Sequence, residues 1–160
     1  MRHRTRTRLL LLFLLLGVIA LPLIPAASAE ADPRDWAARI TEMDRALARG
    51  EATAVAAAWR EAYVAAHVSR GWPGMLAVGD AALRAGRATG TPEIFEPRAR
   101  RAYLTALLRA RRQVSRDGVL AAGEAFGRLG DRDAERLAKS EADKLTIRAE
   151  ADARRRARAL

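Results

Sequence analysis

Two acids in this chain each stand four residues before an arginine, inside one recurring phrase. They are Asp80 and Arg84 in GDAALRAG (79–86), and Glu124 and Arg128 in GEAFGRLG (123–130). On a helix this spacing puts acid and base on one face. There they either pair with each other, for about 0.2–0.5 kcal/mol, or offer alternating charge to a ligand. A second concentration of reactive groups runs from Arg98 to Arg116, with seven arginines and no acid. At about 100° per residue, Arg98, Arg101, Arg109, Arg112 and Arg116 fall on one stripe less than a quarter-turn wide. Such a stripe suits phosphates, acidic proteins or anionic lipid head groups.

Other chemistry is scarce. His67 is the only histidine after the first thirty residues, and the chain has no cysteine. No H-E-x-x-H spacing, phosphate-binding loop or dinucleotide fingerprint occurs, and a cysteine nucleophile is impossible. His67, in AAHVSR near the end of a helical stretch, is expected to satisfy terminal carbonyls as a cation. The expectation is a protein without a catalytic site, metal or cofactor.

The elements that position these groups follow from the ends inward. The basic start MRHRTRTR, the uncharged run at 9–24 and the small-residue end PAASA read as a cleavable signal peptide, residues 1–29. The protein is therefore expected to be exported, to a periplasm or to the outside. The first 29 positions hold four of the 29 basic residues and none of the 19 acids, so the remainder carries +6. That remainder has the size of one ordinary domain. Residues 30–147 are expected to form it, with 148–160 a basic helix end that frays once apolar positions thin out after Ile147.

Alanine and arginine favour helix, while β-branched and aromatic residues are few. An all-α fold follows. Successive helices are expected from Asp32 to Gly50 and over 51–68, 72–85, 97–114 and 117–129, with a last one from about 131. TPEIF (91–95) is expected to be irregular, with its apolar side chains tucked under the loop. Gly50, Gly86 and Gly130, spaced 36 and 44 residues apart, mark three helix–turn–helix units. REAYVAA (60–66) and RRAYLTA (100–106) repeat a phrase in the second helices. Trp36, Trp59 and Trp72 are expected in the core or at unit junctions.

The segment GVLAAGEAFGRLGDRDAERLAKSEADKL (118–145) resembles a tetratricopeptide repeat through Gly123, Phe126, Gly130-Asp131 and Ala142. The unit at 72–106 keeps Gly79 and Gly86, and the unit at 36–66 keeps Gly50 and Ala62. The resemblance implies about three stacked antiparallel hairpins; the alternative is a plain helical bundle. It also implies a groove along the first helices that holds a peptide. Matching the units places Asp44, Asp80 and Glu124 at one groove position, with Arg84 and Arg128 four residues on and Leu76 and Leu120 four before.

Two functions are in play. One is a non-catalytic scaffold or adaptor that binds a protein or peptide in that groove. The alternative is a basic helical protein that associates with anionic envelope surfaces or acidic partners through the arginine stripe. No nucleic acid is expected for an exported chain, and the arginine run has no interleaved stacking aromatics, since Tyr103 falls on the flank that would face the core. Membrane contact would come only through an uncleaved signal or peripherally.

Overall fold

The computed structural model describes residues 35–159; the signal at 1–29 lies outside them. Six α-helices and no strand occur among the described residues: α1 Asp35–Ala48, α2 Ala52–Val68, α3 Trp72–Thr89, α4 Pro92–Arg112, α5 Arg116–Arg128 and α6 Arg132–Arg158. The fold is all-α. Prolines open α3 and α4, where a missing N–H costs nothing. Side chains cap the last two helices: Ser115 Oγ accepts from Gly118 N at 3.1 Å, and Asp131 Oδ1 from Ala134 N at 3.2 Å.

The helices pair as α1/α2, α3/α4 and α5/α6, and the pairs stack in order. Each second helix packs on the next first helix, and each first helix also touches the next first helix. This pattern is compatible with a helical repeat. Its hairpin turns are alike. Glu51 N donates to Ala46 O at 3.0 Å, Thr91 N to Gly86 O at 2.9 Å, and Asp131 N to Phe126 O at 3.0 Å. Each turn passes through a left-handed glycine, Gly50, Gly90 or Gly130. Gly90 therefore replaces Gly86 as the middle turn, and Gly86 is buried inside α3. The sequence was misleading here because the repeated phrase ends at the turn after α5 but one helical turn short of it in α3.

TPEIF is likewise helical. The extra residues in the middle unit lengthen α3 and α4 rather than forming a loop, and Pro97 sits inside α4. Phe95 is buried, as expected for a tucked side chain, whereas Ile94 is 46% exposed. The last helix runs from Arg132 to Arg158 and so includes most of the basic 148–160 end.

The core is built mostly from alanine. Ala58, Ala62 and Ala66 of α2, Ala102, Ala106 and Ala110 of α4, and Ala138 and Ala142 of α6 form equivalent buried ridges. Such ridges let helices approach closely, and larger side chains then fill defined gaps. At the first junction a Cβ on Gly74 would lie 3.1 Å from Trp36 Nε1 and 3.3 Å from Ala66 Cβ. At the second, a Cβ on Gly118 would lie 2.7 Å from Trp72 Cε2 and 2.8 Å from Ala110 Cβ. Trp36 and Trp72 thus lie at unit junctions. The linkers between units also match, since Arg70 and Val114 both take left-handed backbone, with φ of 56° and 53°.

The third position of this series is polar. Arg116 stands where the tryptophans would, Thr146 where the alanine ridge would continue, and Arg116 Nε donates to Thr146 Oγ1 at 3.0 Å.

One contact gives a direct test of the packing. A Cβ at Gly79 would sit 2.3 Å from Cε1 of the fully buried Tyr103 ring. Overpacking of this kind costs about 1–3 kcal/mol, more than the helix propensity that alanine adds. Gly79→Ala is expected to lower the thermal midpoint by several degrees, and Tyr103→Leu in the same chain to restore part of it.

Candidate functional site

Asp44 lies on α1, Asp80 and Arg84 on α3, and Glu124 and Arg128 on α5, the first helices of the three pairs. The intrahelical pairs do not form. Arg84 reaches back to Asp44, with Nη2 3.1 Å from Oδ2, and Arg128 reaches back to Asp80, with Nη2 2.6 Å from Oδ1. Each arginine therefore joins its own first helix to the preceding one. The reason is geometric: adjacent first helices touch, so a long guanidinium side chain meets the neighbouring helix's acid. Both pairs are nearly half exposed, which limits each to about 0–1 kcal/mol. Glu124, the last acid of this ladder, has no ion-pair partner among the described residues. Leu76 and Leu120 are half-buried against the core rather than open to a ligand.

The middle rung is elaborated by a residue whose part was not legible in the sequence. Tyr103 of α4 is buried, and its hydroxyl donates to Asp80 Oδ1 at 2.6 Å. Burial, and then the hydrogen bond to Asp80, push the phenol well above its ordinary value of 10.0. The Arg128 guanidinium carbon stands 6.0 Å from the ring centroid. Asp80 thus accepts from a phenol and an arginine at once. The repeated tyrosine phrase gave no clue to this, because it is out of register with the fold. Trp59 occupies the place in α2 that Tyr103 holds in α4, and its Nε1 donates to Val78 O at 3.1 Å. Tyr63 instead stacks on His67 and sits tilted against Trp59, with centroids 6.2 and 5.4 Å away.

The arginine stripe is broken up. Its last member, Arg116, already lies beyond the helix expected over 97–114; α4 ends at Arg112 and Arg116 opens α5. Arg98 lies over aromatic rings, 5.3 Å from the centroid of Trp59 and 4.9 Å from that of Phe95. Arg109 is a cap for α2. It donates to Ala66 O at 2.9 Å, His67 O at 2.9 Å and Gly71 O at 3.0 Å. The terminal carbonyls assigned to a cationic His67 are therefore satisfied by Arg109. Burial pulls the Arg109 pKa down from the usual arginine value. Only Arg101 and Arg112 of the stripe remain exposed without an ion pair among the described residues.

Open grooves occur between neighbouring second helices. One, of about 700 Å³ between α2 and α4, is lined by Val68, Arg70, Leu108, Arg109 and Arg112 among others. Another lies between α4 and α6, beside Leu108, Arg112, Lys144 and Arg148. No three metal-ligating side chains cluster among the described residues, and none of the described helices is long and apolar enough to cross a membrane. The chain matches no protein-family model, no curated protein and no solved structure.

Two measurements test this account. Below pH 10 Tyr103 is neutral both folded and unfolded, and above it the unfolded chain loses the phenolic proton first. Stability should therefore fall as pH rises past about 10, by up to about 1.4 kcal/mol per pH unit. Tyr103→Phe should remove that component of the slope in denaturant titrations. Arg109→Ala should cost about 2 kcal/mol by stripping three carbonyls of a charged donor, and Arg109→Lys should recover only part of it.

Proposed function

We propose that the chain is a tetratricopeptide-repeat-like, non-catalytic interaction module that holds an extended protein segment along its first-helix face. The observation that carries this reading is the ladder Asp44–Arg84, Asp80–Arg128, Glu124. Equivalent helices place alternating charge at regular steps along one exposed surface, a spacing to which an extended peptide can be matched. The ladder pairs are weak because they are exposed, so a ligand's own charges can replace them at little cost. Glu124 ends the series as an acid, which favours a ligand with a basic residue at that point. Export through the N-terminal signal would place the module in the periplasm or outside the cell.

Site-specific photo-crosslinking from the native source tests the proposal. A benzophenone side chain at Glu124 or Ala48 should give a discrete protein adduct that survives a high-salt wash, and Arg84→Glu should abolish it. Stability should change by no more than about 1 kcal/mol in Arg84→Glu, since the pair it breaks is exposed. Adducts formed only from the second helices, or none that depend on Arg84, would sink the reading.

A further inference from the structure

The second helices carry a different surface, which the ladder does not use. Exposed residues at four-residue spacing form a ridge on each: Arg60, Val64 and Val68 on α2; Leu104, Leu108 and Arg112 on α4; Ser140, Lys144 and Arg148 on α6. These positions stand two residues from the buried alanines, on the outward side of each helix, and Val68, Leu108, Arg112, Lys144 and Arg148 among them line the grooves between α2 and α4 and between α4 and α6. The four aliphatic side chains are well exposed: Val64 61%, Val68 57%, Leu104 50% and Leu108 41%. Arg60, Arg112 and Arg148 are exposed without an ion pair among the described residues. Of the nearby acids, Glu61 pairs with Arg39, and Glu141 with Arg111 and Lys144, while Glu93 and Glu96 beside Leu104 and Asp143 beside Lys144 form no ion pair among the described residues.

We propose that this second-helix face docks on an anionic bilayer surface, with the arginines on lipid phosphates and the valines and leucines in the interfacial layer. Three features select that occupant. Aliphatic side chains that share their ridges with unpaired arginines complement a surface that is negative outside and apolar just beneath. The aliphatic groups stand on ridges rather than in an enclosed pocket, and no aromatic anchor accompanies them, unlike the centres of most tight protein interfaces. A second copy is disfavoured, because a twofold contact of this face with itself would bring the same cations together. The inference does not depend on the first-helix ladder, which lies on other helices.

The chain has no cysteine, so single reporters are straightforward. Full-length protein with Leu108→Cys or Val68→Cys would carry an environment-sensitive fluorophore on the ridge, and Ala48→Cys would carry it on the first-helix face as a control. Vesicles of phosphatidylcholine with phosphatidylglycerol should shift both ridge labels to the blue and leave the Ala48 label unchanged. Pure phosphatidylcholine should give little shift, and added salt should reverse the effect. The combined Arg60→Gln, Arg112→Gln and Arg148→Gln variant, confirmed folded by circular dichroism, should bind about a hundredfold more weakly, at roughly fivefold per arginine. Equal shifts at Ala48 and Leu108, or binding unaffected by the triple variant, would overturn the proposal. So would ridge labels that stay silent on anionic vesicles, including the case where they respond only to polyglutamate, which would assign the face to an acidic protein.

Discussion

Everything in this fold rests on close helix approach at positions without bulky side chains. A protein with no disulfide must hold together by packing alone, and this one does so largely with alanine and glycine. Small residues on facing ridges remove the space that leucines would otherwise fill. The few large groups then become wedges of fixed position: Trp36 and Trp72 between units, Trp59 and Tyr103 within the stack. The same constraint explains why Gly74, Gly79 and Gly118 cannot take a Cβ without displacing an aromatic ring or a neighbouring alanine. It also shapes the end of the stack. Where a third tryptophan and alanine would receive another hairpin, Arg116 and Thr146 bond to each other and leave a polar surface.

The charges are organised by that packing. Because consecutive first helices touch, Arg84 and Arg128 act between units, and the exposed face of the stack becomes a ladder. Because consecutive second helices lie side by side along a groove, Arg109 of α4 reaches across to the end of α2, and Arg98 settles on Trp59 and Phe95. A run of arginines that looks uniform in the sequence therefore divides into structural and free members. The free ones, Arg101 and Arg112, lie on the α4 surface with the exposed leucines.

The helical character of the chain was legible because alanine-rich, strand-poor composition acts locally, residue by residue. The unit count was legible too, since the glycines that allow left-handed turns punctuate the sequence. The end of α3 was not. Gly86 and Gly90 are equally plausible turn residues from local rules, and only the length of the partner helix α4 favours the later one. The register of the second helices was hidden for a related reason. The phrase containing Tyr63 and Tyr103 repeats every 40 residues, while the buried ridges of α2 and α4 match at 44. A side chain's burial depends on what faces it, and no local pattern states that.

The candidate surfaces divide in the same way. The sequence by itself determined which residues could share a helix face: acids four before arginines, aliphatic pairs at 64/68 and 104/108, and arginines crowded into 98–116. Those relations follow from helical periodicity alone. Only the tertiary structure decided which of those groups meet. Asp80 takes Arg128 and Tyr103 in place of Arg84, and Arg109 takes the role assigned to His67. Arg116 leaves the stripe because α4 stops four residues before it. Contacts between helices are set by how closely the backbones approach, and that distance is fixed by small residues far apart in the chain.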